Sequence, residues 1–159
     1  MRRASVVAVA IALAALSACG KKAEPVVVAS ASPTGSYSVK GANGETAQIA
    51  TGSAAAAKLP SYVPLYPGAV VDSSVTGGSG TSGGGTVTFH TAAKPDEVVA
   101  FYKQRAAASG LSAAFSSQAG DGMMFSAGKE SGDEGIQVIA TPANGSTAVQ
   151  IFWTEPSKN

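Results

Sequence analysis

Apolar residues are distributed along this chain in three ways, and each predicts a different kind of structure. Val6 to Leu16 is an uninterrupted apolar run of eleven residues, well short of the ~20 that a membrane-spanning helix needs. From Gly20 to Ser36 no period persists among the Ala, Ser, Pro, Val and Lys residues, as in a tether. Ser38-Val39-Lys40 and Thr46-Ala47-Gln48-Ile49 then flank Gly41-Ala42-Asn43-Gly44. Asn-Gly suits a tight turn whose central residues take positive φ, so a small hairpin is predicted over 37–50. Thr51 to Lys58, with its alanine run, reads as a linker or a short helix.

Regular patterning starts at Leu59-Pro60. Pro60, Pro64 and Pro67 exclude a helix interior and predict an extended entry segment. Val70 to Thr76 is a candidate strand, and Gly77 to Gly85 reads as a flexible hairpin loop. Thr86 to Thr91 alternates, with Val87 and Phe89 on one face and Thr86, Thr88 and His90 on the other. Pro95 then fits a first helical position, and Asp96 and Glu97 complement the positive end of a helix dipole. Val98, Phe101, Tyr102 and Ala106 form one apolar face, and Gly110 supplies the stop. Four short strands follow at Leu111–Ser117, Met123–Ala127, Gly135–Thr141 and Thr147–Thr154, separated by glycine-bearing breaks.

This order, β-β-α-β-β-β-β, predicts a two-layer α+β domain. One antiparallel sheet of about five to six strands would carry a single helix, about 95–109, on one face. Val87, Phe89, Met123, Phe125, Val149, Ile151 and Trp153 would meet that helix. The other face would show Met124, Ile139 and Phe152 beside Thr88, His90 and Gln150. An apolar patch of that kind marks an interaction surface, unless the N-terminal hairpin or a second copy covers it.

Composition places the folded part late in the chain. Nine of the ten aromatic residues follow Leu59. The formal net charge is +1 and the charged fraction 13 %, about half the ~25 % of a typical soluble protein. That balance carries no basic footprint for nucleic acid and no acidic tail.

The N-terminus has a recognisable order. Arg2 and Arg3 precede the apolar run, and Leu16-Ser17-Ala18-Cys19 follows it; the run length suits a secretory signal. The tetrapeptide resembles the lipobox of bacterial lipoproteins. The resemblance implies cleavage between Ala18 and Cys19, a diacylglyceryl thioether on the Cys19 sulfur and acylation of the new amine, so that fatty-acyl chains such as palmitate hold the protein to a membrane. Two or three chains make a stable anchor where one does not. Gly20 stands where lipoproteins retained in the inner membrane carry Asp, which implies the outer membrane, facing the periplasm. As the only cysteine, Cys19 cannot form an internal disulfide. The expected division is a signal peptide at 1–18, a lipidated N-terminus and tether at 19–36, hairpin and linker at 37–58, the α+β domain at 59–155 and a tail at 156–159.

A second resemblance lies in the domain. Leu59-Pro60, Tyr66-Pro67-Gly68-Ala69, Val87-Thr88-Phe89-His90-Thr91 and Val98-Val99-Ala100-Phe101-Tyr102 resemble a module of uncharacterised bacterial lipoproteins with the pattern LP, P-x-YPGA, V-x-F-x-T and V-x-x-FY. It supports the element order and implies no activity. Lys94 stands where that helix usually has an acidic or serine cap.

Candidate chemistry is sparse. Gly78 to Gly83 spells G-x-G-x-x-G and Gly80 to Gly84 spells G-x-S-x-G, yet both motifs require a helix to follow, and a strand is predicted there. His90 is the only histidine, so a hydrolytic triad would have to join it to Ser82 and an acid such as Asp72. Glu130, Asp133 and Glu134 share one loop without the spacing of a calcium loop, and read as a solvated turn. The expectation is therefore a non-enzymatic, membrane-anchored envelope lipoprotein without metal or cofactor. Its domain would bind a protein or envelope component through Met124, Ile139, Phe152 and His90. The alternative is a small hydrolase using His90 with Ser82 or a loop acid.

Overall fold

The longest alternating segments of the chain pair at the centre of the sheet. In the computed structural model, which describes residues 35–40, 45–56, 59–79 and 82–156, β4 (Ser82–Thr91) runs antiparallel to β8 (Ser146–Pro156), from Ser82↔Pro156 to Thr91↔Thr147. The signal segment, the cleavage site, Cys19 and most of the tether lie outside the described residues. On one side of this pair the chain adds β3 (Val70–Ser79), β2 (Thr46–Thr51) and β1 (Ser36–Lys40). On the other it adds β7 (Gly135–Ala143), β6 (Gly122–Gly128) and β5 (Ser112–Ala119). The result is one antiparallel sheet of eight strands in the order β1-β2-β3-β4-β8-β7-β6-β5.

Two helices accompany the sheet, α1 (Ser53–Ala56) and α2 (Pro95–Ala108). Helix α2 starts at the predicted proline. Lys94 has no side-chain acceptor to offer as a cap, and Glu97 reaches back to accept the Lys94 N–H at 2.8 Å. At its other end Gly110 takes φ +74°. Gly110 N–H then donates to Ala107 O at 3.1 Å and Leu111 N–H to Ala106 O at 2.9 Å, a Schellman termination. The helix buries Val98, Val99, Tyr102 and Ala106 against Phe125, Ile136, Val138, Val149, Ile151, Val87 and Phe89. Tyr62 and Val63 of the proline-rich entry segment complete this core.

Buried polar groups in the core are partnered. Tyr102 Oη donates to Pro64 O at 2.9 Å, and Tyr62 Oη to Thr154 O at 2.6 Å. Burial pushes both phenols well above their ordinary pKa, with the Glu155 carboxylate adding to the effect at Tyr62. Both therefore stay neutral donors, tying the entry segment to α2 and to β8.

The expected fold class is corrected by this architecture. Eight strands replace the five to six anticipated, and two short helices replace the single helix layer, so the molecule is mostly sheet. The added strands are β1 and β2. The hairpin over 36–51 does not stand apart but pairs with β3 from Thr46↔Gly78 to Thr51↔Ser73. Ladder hydrogen bonds come from the backbone, so Ala, Ser and Gly positions with weak side-chain periodicity extend a sheet as well as strong strand formers do.

The glycine-rich segment is corrected for the same reason. Gly77, Gly83, Gly84 and Gly85 lie within β3 and β4, leaving only residues 80–81 between the strands. A side chain at Gly85 would collide with the Trp153 ring and the Val75 carbonyl, so the indole takes the space that a Cβ would fill. Gly85→Ala is expected to destabilise the fold by at least ~2 kcal/mol, read as a lowered urea midpoint with unchanged slope. A midpoint equal to that of the parent would show that the strand accommodates a Cβ.

Candidate functional site

Among the described residues, all covering elements lie on one side of the sheet. Helix α1 packs on β2 and β3, with Ser74 Oγ donating to Ala55 O at 3.2 Å, and α2 packs on β5, β6 and β7. The opposite face is open. The N-terminal hairpin does not cover it, because β1 and β2 lie in the plane of the sheet as strands.

Side chains of paired residues share a face, so the registers trace rows across this surface. One row crosses all eight strands: Tyr37, Ile49, Val75, Thr86, Phe152, Gln137, Ser126 and Phe115. At ~4.8 Å between strands it is about 34 Å long. The adjoining row holds Ser73, Thr88, Gln150, Ile139, Met124 and Ser117. The exposed large hydrophobics of the described residues are Val70 (56 %), Val75 (42 %), Phe115 (51 %) and Phe152 (37 %), and all four fall on this face. Antiparallel sheets commonly leave one face to water, but that face is then normally polar. Here the described strand positions facing outward carry no Lys, Arg or Glu.

The residues singled out from the sequence lie here in a definite arrangement. Met124 is directly opposite Ile139, and Ile139 opposite Gln150. Both apolar side chains are half-buried and border an open groove of about 380 Å³ together with Ser117 and Thr141. Phe152 stands in the neighbouring row beside Gln137, whose amide approaches the Met124 sulfur at 3.8 Å. Sequence reasoning missed Val70, Val75 and Phe115. Phe115 sat in a predicted strand, but the bulge between Ala113 and Phe115 hides its side from simple alternation.

His90 is exposed at one end of the same face. A bulge between Val71 and Ser73 turns Asp72 toward it, and His90 Nδ1 lies 3.0 Å from Asp72 Oδ1. About half of each side chain remains accessible, 48 % and 54 %. Ser82 is not brought to this pair. It stands eight positions away along β4, about 26 Å at ~3.3 Å per residue. Ser73 and Thr88, the nearest hydroxyls in register, hydrogen-bond to each other at 2.9 Å.

In the loop after β6, Glu134 pairs with Lys129. Among the described residues no three His, Cys, Asp or Glu side chains converge as a metal site would require. No helix among them is long and apolar enough to cross a membrane.

The described residues thus form a small domain of one antiparallel sheet, covered by helices on one side and open on the other. The chain belongs to the START domain-like family, whose model matches residues 71–151, from β3 to β8. The β1–β2 hairpin and α1 lie outside the matched segment and widen the sheet beyond it. No curated protein and no solved structure matches the chain.

An exposed polar pair of the Asp72–His90 kind is worth little to the fold. His90→Ala is expected to change unfolding free energy by less than ~1 kcal/mol, measured by urea titration at neutral pH. A larger loss would mean that the pair holds the β3 bulge in place.

Proposed function

We propose that the protein is a lipid-anchored lipoprotein of the bacterial envelope whose START-like domain binds an envelope protein through the open sheet face. The observation that carries the binding reading is the collection of exposed Val70, Val75, Phe115 and Phe152 on one charge-poor face, whose acidic strand residue, Asp72, is paired with His90 at one end. Large exposed apolar area on a monomer is a recurrent mark of an interaction surface. Membership of a START-like family supports the same reading, since such domains are generally binding modules. The anchor rests on the lipobox Leu16-Ser17-Ala18-Cys19. Acyl chains on Cys19 would hold the domain at the membrane, and Gly20 favours the outer membrane facing the periplasm.

Recognition on such a face works at short range. With the Asp72 carboxylate at one end as its acidic strand residue and no Lys, Arg or Glu, it steers a charged partner only weakly, so affinity rests mainly on apolar contact and on hydrogen bonds from Gln137, Gln150, Thr86 and Thr88. The hydrolase reading has no comparable support, because His90 and Ser82 stand at opposite ends of β4.

Each half of the proposal has its own test. Palmitate labelling of the full chain is expected to be complete for the parent and absent for Cys19→Ala; equal labelling would remove the anchor. A photo-crosslinking residue at Gln150 is expected to trap a protein partner in the envelope. Phe152→Glu with Met124→Glu should cut that yield roughly tenfold, as when charge is placed in an interface core. Undiminished trapping would show that recognition lies elsewhere on the domain.

A further inference from the structure

The two edges of the sheet are built differently. At one edge β1 has five residues and ends in Lys40, and short length and a lysine are common protections against unwanted strand pairing. At the other edge β5 has eight residues, SAAFSSQA, with neither charge nor proline. Its only protection is the bulge at Ala113/Phe115, which leaves Phe115 to Ala119 as a regular, exposed strand.

We propose that β5 pairs antiparallel with β5 of a second copy of this chain, making one continuous sixteen-stranded sheet across a two-fold axis. This goes beyond the binding face proposed above and leaves that face free on both copies.

The backbone selects the register. Gly120 takes φ +58° in the two-residue turn between Ala119 and Gly122, the geometry of a type II′ hairpin. Ala119 and Gly122 then form its hydrogen-bonded closing pair, and hydrogen-bonded and free positions alternate from there. Ser116 and Gln118 consequently turn their N–H and C=O groups away from β6, toward the open edge. In a two-fold pairing these outward groups must bond to each other. The register that uses all of Phe115–Ala119 places Ser116 opposite Gln118 of the second copy and Ser117 opposite itself. Phe115, 51 % exposed, then lies against Ala119 of the second copy, a large side chain beside a small one.

Three features favour a second copy over a foreign strand. An uncharged strand meets no like-charge repulsion when paired with itself. Phe115, which ends the long row at the edge, gains the small Ala119 of the second copy as a neighbour and is partly covered by the pairing. The full chain is close to electroneutral, at +1, which lowers the barrier to self-association. A ladder this short falls below the ~1,200 Å² of a standard stable interface, so the pairing is reversible and is best trapped in place.

A cysteine at the axis provides the trap. Ser117 would face its own copy in a non-hydrogen-bonded pair, with Cα atoms about 4.5 Å apart, inside the ~4.4–6.8 Å range that a disulfide spans. In the full chain, expressed in a bacterial envelope and treated with copper phenanthroline, Ser117→Cys is expected to give a covalent dimer beyond the background of the parent, which carries Cys19 alone. Thr141→Cys, on the same face but two strands in from the edge, should stay at that background. Adding Ser116→Lys and Gln118→Lys, both exposed positions, should reduce the Ser117→Cys dimer at least about fivefold, because lysines then oppose one another across the pair. The proposal is overturned by a Ser117→Cys chain that stays monomeric while its denatured thiol still reacts with maleimide. Equal dimer from Thr141→Cys, dimer that persists with both lysines present, or adducts to a different protein only, would overturn it as well.

Discussion

The pairing of β4 with β8 is the contact on which the architecture turns. Each of these strands ends a meander, β1 to β4 on one side and β5 to β8 on the other. Within each meander every pairing joins strands consecutive in sequence, through short turns except between β2 and β3, where α1 and the entry segment intervene. Joining the meanders brings Ser82 to Pro156 and Thr91 to Thr147, contacts that close the longest loops of any strand pairing in the sheet and are entropically the most expensive of them. Val87, Phe89, Val149, Ile151 and Trp153, all at most 3 % exposed, offset that cost along the seam.

The same seam dictates where α2 must run. The chain leaves β4 in the middle of the sheet and re-enters at β5, the far edge, so the connection has to traverse β8, β7 and β6. Helix α2, packed on β7, β6 and β5, makes most of this crossing and covers those strands in one pass. With the entry segment Leu59–Ala69 packed beside it, every covering element is spent on that side. Strand alternation then divides the residues without further choice: buried Phe125, Val138 and Ile151 on one side, and Met124, Ile139 and Phe152 on the other. The open face is thus a consequence of topology, and its apolar residues are what topology alone does not account for.

Those parts of the fold dominated by side-chain chemistry were legible in the sequence. Pro95, the Val98–Ala106 stripe and Gly110 marked α2, the alternation over Thr86–Thr91 marked β4, and Asn144-Gly145 marked the β7–β8 turn, where both residues take positive φ. The parts held mainly by backbone pairing were not. Residues 36–51 and 77–85 are too rich in Ala, Ser and Gly to show a period, and Gly85 looks like a loop residue until Trp153 is placed over it. The face was read in part: Met124, Ile139, Phe152 and His90 were named on the alternation of regular strands. Phe115 sits at a bulge, where one extra residue exchanges the faces, and Asp72, named from the sequence only as an acid for His90, sits at another.

Charge on the strand positions of this face is confined to one end, where Asp72 meets His90, and that shapes how the domain could find a partner. Electrostatic steering raises encounter rates by roughly ten- to a thousandfold, a gain not open to a surface of Thr, Ser, Gln and apolar side chains. Confinement supplies a different gain. A domain held by a short tether meets a co-confined partner at effective concentrations up to the millimolar range, where modest apolar contact and a five-residue strand pairing both become populated. On this argument the proposed lipid at Cys19 and the charge-poor sheet face are complementary. The anchor would raise the local concentration, and the face and edge would provide contacts weak enough to remain reversible there.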